Sequence, residues 1–170
     1  MVETSQLVTI NALEDCARAL GLDILGVTSA MPFYRAERVA KDRLRKGFMG
    51  KLPWYTEARI NRGPNPRELL PGAVSIISVA VNYLPGTSGR EHLTPGRGRL
   101  ARYARGQDYH RILKDRLRRL VMDLSVNLGR EIKFKIYVDD GPMLDREVAS
   151  RAGLGFYGKN TNVLTRIGSW

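Results

Sequence analysis

Apolar residues recur every three or four positions in several segments of the chain, which is the spacing of a helix that buries one face. This pattern predicts a first helix over residues 6–20 and a long helix that Asp108 caps and that continues to Leu128. A basic helix is expected over residues 34–46, and a short one over residues 145–152.

Shorter apolar or alternating runs predict strands over residues 23–28, 131–138 and 162–166. Residues 73–84 are rich in Val and Ile and predict a strand that is buried on both faces at the centre of a sheet. The mixed order of elements favours an α/β (α+β) sandwich with a mixed sheet flanked by helices. In residues 46–55, an ordered loop is expected to bury Trp54 and Tyr55 as core anchors.

The 170 residues suffice for one domain, 1–170, and contain 43% hydrophobic and 26% charged residues, which is typical of a soluble globular protein. No segment resembles an export signal or is long enough to cross a bilayer, so we expect a cytoplasmic protein without membrane contact. One cysteine and two histidines exclude an internal disulfide and make a metal site built from this chain alone improbable.

Positive charge is the strongest signal of the composition. The formal net charge is +11, and residues 90–119 carry ten basic against three acidic side chains. Such a surface attracts polyanions, of which nucleic acid is the commonest, although a merely solvated basic face is the alternative.

Arginines alternate with tyrosines at the end of an irregular, glycine-rich segment, residues 85–107. Arg102 and Arg105 could bind phosphates while Tyr103 or Tyr109 stacks on a splayed base, a combination that suits an RNA loop better than a duplex groove. Arg111 and Lys114 extend this charge along the following helix. The alternative is a solvated loop with its tyrosines packed beneath it.

Residues 153–158 have the glycine spacing G-x-G-x-x-G of a dinucleotide-binding turn. They follow a predicted helix and lead into a strand, the reverse of the order in that motif, so a nicotinamide site is rejected. Lys159 remains available to an anion.

Asp139 ends a predicted strand just before Gly141 and Pro142. A carboxyl group that projects into a crevice there could be tuned to donate a proton. A plain Asp-Gly turn explains the same residues and, on local grounds, is favoured.

Residues 99–120 and 137–170 resemble the cobalamin-dependent epoxyqueuosine reductases, with weaker agreement from about Gly21 onwards. The segments Gly-x-Asp-Tyr-His and Ala-Gly-Leu-Gly-x-x-Gly-Lys-Asn are the specific ones. The resemblance implies the reduction of an epoxide on a modified tRNA base, which gives queuosine. It also implies a cobalamin cofactor, two [4Fe–4S] clusters and a fold akin to flavin-reductase-like cobalamin-processing proteins.

Carried over by position, the resemblance makes Asp139 the proton donor to the epoxide oxygen and a cobalamin neighbour. Arg62, Ala101 and Val163 match further cobalamin-contacting positions. The surface expected to face tRNA consists of Arg102, Arg105, Arg111, Lys114 and Lys159.

Two departures from the family pattern change the expectation. The cysteines that bind the clusters are absent, so we expect a domain truncated before a ferredoxin-like [4Fe–4S] domain, inactive alone unless a separate iron–sulfur polypeptide completes it. Asp140 stands where the family usually has a small residue, which adds a negative charge beside Asp139. The alternatives are a basic RNA-binding module without catalysis and a partly folded remnant of a broken gene.

Overall fold

A computed structural model of the protein describes residues 9–83, 96, 98 and 100–169. The helices there are α1 (Ile10–Ala19), α2 (Tyr34–Arg45), α3 (Glu57–Arg62), α4 (Pro66–Leu69), α5 (Tyr109–Leu128) and α6 (Asp145–Arg151). The strands are β1 (Ile24–Ser29), β2 (Ser75–Ala80), β3 (Gly155–Tyr157), β4 (Val163–Thr165) and β5 (Gly168–Ser169). A single 3₁₀ turn covers Arg102–Ala104.

The predicted helices are confirmed within one or two residues wherever they fall in the described part of the chain. As predicted, Asp108 caps α5, and its carboxylate accepts a hydrogen bond from the His110 amide at 3.0 Å. The helix ends at Gly129, whose φ of 62° is the left-handed conformation that glycine adopts readily. Residues 6–8 of the predicted first helix lie outside the described residues.

The α+β class is confirmed, whereas the expected mixed sheet is replaced by two small antiparallel sheets in the described residues. β1 pairs with β2 along its whole length, from Ile24 opposite Ala80 to Ser29 opposite Ser75. The second sheet has the order β3-β4-β5. The described strands pair with close neighbours or across one long connection, without the parallel crossovers that a mixed sheet requires.

Two strand predictions need correction. β2 is only half-buried and pairs only with β1 among the described residues, so it is not the central strand of a sheet. Residues 131–138 are not a strand, although Ile132 packs against the core and Val138 is buried. Alternation of charged and apolar residues predicts that one side of a segment is buried. Here that side is buried only in part, since Phe134 is 48% exposed.

The main core lies between the β1–β2 sheet and the helices α1 and α5. Leu25 and Val79 project from the sheet towards this side. The buried residues of the cluster are Leu13, Ala17, Leu22, Leu25, Leu120 and Leu124. Gly26 follows Leu25 in β1 and therefore faces the opposite side of the sheet, where it contacts the end of α6. A Cβ at Gly26 would lie 2.2 Å from the Ala152 carbonyl oxygen. The sheet is therefore covered by helices on both faces.

Arg151 joins α6 to the segment that follows β1. Its guanidinium donates to the carbonyl oxygens of Ser29 at 2.6 Å and Met31 at 2.8 Å, and it lies 3.5 Å from the centre of the Phe33 ring. The Nε atom is buried and has no hydrogen-bond partner among the described residues. One side chain thus fixes the last helix to the first strand.

None of the helices in the described ranges is long and apolar enough to cross a membrane.

Candidate active site around Asp139

Asp139 lies in a tight turn between the extended segment 131–138 and α6. We call residues 138–144 the Asp139 loop. Asp139 itself has φ of 54°, a left-handed conformation that Asp and Asn tolerate better than most residues. Gly141 is required in this turn because a Cβ there would come within 2.1 Å of the Tyr137 ring. The predicted turn is confirmed, and it presents the Asp139 carboxylate at an exposed position.

Tyr109, the first residue of α5, holds this carboxylate. Its hydroxyl donates to Asp139 Oδ2 at 3.0 Å. Burial, together with the hydrogen bond to Asp139, raises the pKa of Tyr109 to about 12, so the phenol stays neutral and remains a donor. The ring is stacked on His110 at 4.1 Å and meets the edge of Tyr103 at 6.3 Å.

Asp140 has a different partner, the ammonium group of Lys114 on α5. Its other carboxylate oxygen accepts a hydrogen bond from the Val138 amide at 2.9 Å. The Lys114 contact, assisted by this amide, lowers the pKa of Asp140, which is therefore ionised at neutral pH. Lys114, one of the residues expected to face tRNA, lies against the Asp139 loop.

Helix α3 closes the other side of the loop. Arg59 donates a hydrogen bond to the Gly141 carbonyl oxygen. Gly63 approaches the loop so closely that a Cβ there would lie 2.2 Å from the Pro142 carbonyl oxygen. Arg62 directly precedes Gly63 and is exposed, so the predicted cofactor-contacting arginine stands next to the loop.

Trp54 is not the core anchor that the sequence predicted. Its side chain is 53% exposed and packs edge-on against Tyr55 at 5.5 Å. The guanidinium of Arg59 lies over the indole at 5.1 Å. Glycine and proline surround these aromatic residues, and the turn they form leaves the indole on the surface.

Asp145 is a carboxyl group that sequence reasoning missed. It is the first residue of α6, and burial raises its pKa to about 6, with further contributions from the charges of Asp139 and Asp140. Arg59 and Arg146 act in the opposite direction. The only sequence signal was a third aspartate shortly after the first two.

Ala101 and Val163 are the remaining positions that the family resemblance assigns to the cofactor. Ala101 precedes the 3₁₀ turn, whose Tyr103 ring meets the ring of Tyr109, the residue that holds Asp139. Val163 is fully buried at 1% exposure and could offer a ligand only its backbone. Its neighbour Thr161 is tied to α6, since its carbonyl oxygen accepts from Arg146 at 3.3 Å.

The remaining basic residues predicted to face tRNA are exposed. Arg105 is partly engaged within its own loop, because its Nη2 donates to the Leu100 carbonyl oxygen at 3.0 Å. This group consists of Arg102, Arg105, Arg111 and Lys159. The two tyrosines beside them differ in exposure: Tyr103 is 56% exposed, whereas Tyr109 is half-buried.

The glycine-rich segment 153–158 contains β3 and follows α6. A dinucleotide-binding turn leads from a strand into a helix, so the rejection of that motif is confirmed. Among residues 9–83, 96, 98 and 100–169, no group of three or more His, Cys, Asp or Glu side chains is placed to hold a metal ion.

Comparison with known proteins gives one consistent result. Residues 64–140 match the family described as epoxyqueuosine reductase QueG, DUF1730. The epoxyqueuosine reductase of Pseudomonas aeruginosa is 34% identical over 157 residues, which cover 91% of this chain and 43% of that protein.

Solved structures agree. A crystal structure of epoxyqueuosine reductase with a tRNA-Tyr epoxyqueuosine-modified stem loop superposes with a TM-score of 0.78 at 32% identity, over 94% of this chain and 42% of that one. The Bacillus subtilis epoxyqueuosine reductase, solved with its catalytic aspartate loop swung out of the active site, gives 0.73 at 30% identity, over 94% and 42%. This chain thus spans less than half the length of these proteins.

Proposed function

The chain belongs to the epoxyqueuosine reductase family, and on that premise we propose that it is the cobalamin-binding part of an enzyme that reduces epoxyqueuosine to queuosine in tRNA. The observation that carries this proposal is the Asp139 loop, where an exposed carboxylate is held by a neutral phenol and flanked by α3. The proposed setting is the cytoplasm, where tRNA is the substrate.

The residues around the loop suit a corrinoid. A corrin has a broad apolar face and peripheral amide groups, which need van der Waals surface and backbone hydrogen-bonding partners. Arg62, which precedes Gly63 at the Asp139 loop, and the exposed Ala101 can supply such contacts. We propose that these two residues, together with Asp139 and the backbone of Val163, contact the cobalamin.

Iron–sulfur clusters do not fit this chain. A [4Fe–4S] cluster requires four cysteine thiolates, and the sequence contains one cysteine, Cys16, which packs against the main core. In our proposal the clusters and their electrons come from a part of the enzyme beyond this chain or from a separate polypeptide.

The chemical role proposed for Asp139 is that of the acid. Conversion of an epoxide to an alkene breaks two C–O bonds, consumes two electrons and two protons, and releases the oxygen as water. Bound cobalamin would supply the reducing electrons. Asp139 in its protonated form would give its proton to the oxygen as the first C–O bond breaks, and the second proton would come from solvent. Tyr109 would keep the carboxyl group aimed at that oxygen.

Basic residues would hold the RNA at this site. Arg102, Arg105, Arg111 and Lys159 are the proposed phosphate contacts. Charge alone also supports a second candidate function, an RNA-binding module without catalysis. That alternative offers no role for a carboxylate held by Tyr109.

The two functions differ in the binding of a corrinoid. Anaerobic titration of the chain with cob(II)alamin, followed by visible absorbance and electron paramagnetic resonance, should give a saturable change to the spectrum of cobalamin without its lower base ligand. A folded chain that causes no change would contradict the proposed cofactor site and favour the RNA-binding module.

Asp139→Asn tests the proposed acid and suits the left-handed backbone at this position. In an enzyme completed with the cluster-bearing part, turnover should fall by roughly 100-fold or more, whereas cobalamin affinity should be nearly unchanged. Asp123→Asn, at an exposed position of α5, is the control and should leave both unchanged. Equal losses of binding and turnover in Asp139→Asn would mean a structural role.

A further inference from the structure

We propose that Lys114 is a positioning residue that fastens the Asp139 loop to α5 through Asp140, rather than a contact for RNA. The inference rests on the proposed function only in treating Asp139 as the acid. The fastening itself is a property of this chain and can be measured without cofactor, substrate or turnover.

Lys114 is half-buried, in contrast to the exposed Arg111, Arg118 and Arg119 on the same helix. The Lys114 side chain is 30% exposed and its partner Asp140 is 37% exposed, whereas Arg118, which pairs with Asp115 on the same helix, is 56% exposed. An ion pair that is partly withdrawn from water is screened less than one on the open surface. Lys114 therefore has the surroundings of a structural cation.

The contact also spans two distant parts of the chain. Asp115–Arg118 joins residues of one helical turn, but Lys114–Asp140 joins α5 to the Asp139 loop. Tyr109 on the same helix holds the adjacent Asp139. The first turns of α5 thus grip both aspartates, one through a neutral phenol and the other through an ammonium group.

The different partners keep the two carboxylates chemically distinct. Like charges on adjacent residues repel each other, and an unpaired Asp140 would add its charge beside the proposed acid. The Lys114 ammonium offsets the negative charge of the Asp140 carboxylate by direct contact and lowers the pKa of Asp140. The Val138 amide donates to the other oxygen of Asp140 and so helps to fix the orientation of this carboxylate.

An RNA phosphate that displaced Asp140 from Lys114 would break this pair. Release of Asp140 would leave a carboxylate without its cation next to the incoming phosphate, which is unfavourable. The exposed Arg111 has no such conflict with a described carboxylate. Arg111 is therefore the better phosphate contact on this helix.

The first experiment measures amide hydrogen exchange in residues 139–144 of the chain without ligand. Lys114→Gln and Asp140→Ser should each raise exchange in the loop by roughly threefold or more, and the double variant should be no faster than either single variant. Arg118→Gln is the matched control and should leave loop exchange unchanged. Unchanged exchange in Lys114→Gln, or effects that simply add in the double variant, would overturn the proposal.

The second experiment measures binding of a tRNA anticodon stem loop at several salt concentrations. Lys114→Gln should leave the slope of log K against log salt unchanged, whereas Arg111→Gln should reduce it by about one unit. A reduced slope for Lys114→Gln would make Lys114 an RNA contact and overturn the proposal.

The tests of Lys114 can be decided independently of the tests of the proposed function. If cob(II)alamin fails to bind or Asp139→Asn keeps its turnover, the proposed function fails, yet the exchange results still decide the role of Lys114. If exchange contradicts the fastening while Asp139→Asn is inactive, only the further inference is lost.

Discussion

At the level of single residues, three aspartates close together in sequence have three different surroundings. Asp139 accepts from a phenol, Asp140 pairs with an ammonium group, and Asp145 is largely withdrawn from water. Their different chemical behaviour follows from these partners, which are supplied by other elements.

Asp145 should make the stability of the fold depend on pH. Its pKa of about 6 in the folded state exceeds the ordinary value of about 3.9, so the folded protein retains a proton that the unfolded chain has released. Its stabilising contribution is complete below about pH 4 and is lost as the pH rises through 6.

Asp145→Asn removes this dependence. Relative to the wild type, the variant should gain roughly 2 kcal/mol in unfolding free energy at pH 7 and much less at pH 4.5, as measured by urea denaturation followed by circular dichroism. Asp115→Asn, at an exposed position of α5, serves as the control. A variant difference that is equal at both pH values would contradict the raised pKa.

The sequence singled out Asp139 but could not predict how it is held. Its position before Gly141 predicted a turn correctly, because turn chemistry is local. Tyr109 and Arg59 reach the loop from 30 and 82 residues away in the chain, and such contacts depend on tertiary packing. Tyr109 was therefore assigned to RNA stacking or to packing beneath a loop, and Arg59 to no role.

At the level of elements, α5 connects the core to the site. Its first turns hold the two aspartates of the Asp139 loop, while Leu120 and Leu124 further along are buried against α1 and the β1–β2 sheet. The position of the loop therefore depends on how firmly this helix is packed.

Leu120→Ala should lower the unfolding free energy by about 2–5 kcal/mol, because the side chain is 1% exposed and its loss leaves a cavity. Val126→Ala on the same helix is the matched control, since Val126 is 79% exposed and should change stability by less than about 0.5 kcal/mol. Urea denaturation compares the two. Similar losses from both substitutions would contradict the assignment of the core.

Elements with several agreeing signals were predictable from the sequence, whereas α3 and α4 were not. α5 combines a capping aspartate, a helical apolar stripe and a terminal glycine, which all indicate the same structure. α3 and α4 have six and four residues, too few for a periodic pattern to emerge. Residues 131–138 show a strand pattern without a strand because the pattern encodes burial, whereas pairing needs a partner in register.

For the whole molecule, the net charge of +11 should govern binding of RNA but not of a corrinoid. The affinity for a tRNA stem loop should fall by roughly 100-fold or more between 50 and 200 mM salt, because bound phosphates release counterions. The affinity for cob(II)alamin should change by less than about twofold over the same range. Parallel titrations provide the test, and equal salt dependence would contradict a separate corrinoid site.

Arg151, which joins α6 to Ser29, Met31 and Phe33, should tolerate few substitutions. A lysine at 151 could not reproduce two hydrogen bonds to Ser29 and Met31 together with the flat contact on Phe33. In a saturation library selected for function, codon 151 should therefore return almost only arginine. Such a library would then identify both Arg151 and Asp139 as intolerant positions. Arg151 would be intolerant because it preserves the fold, whereas only Asp139 is proposed to contact the substrate.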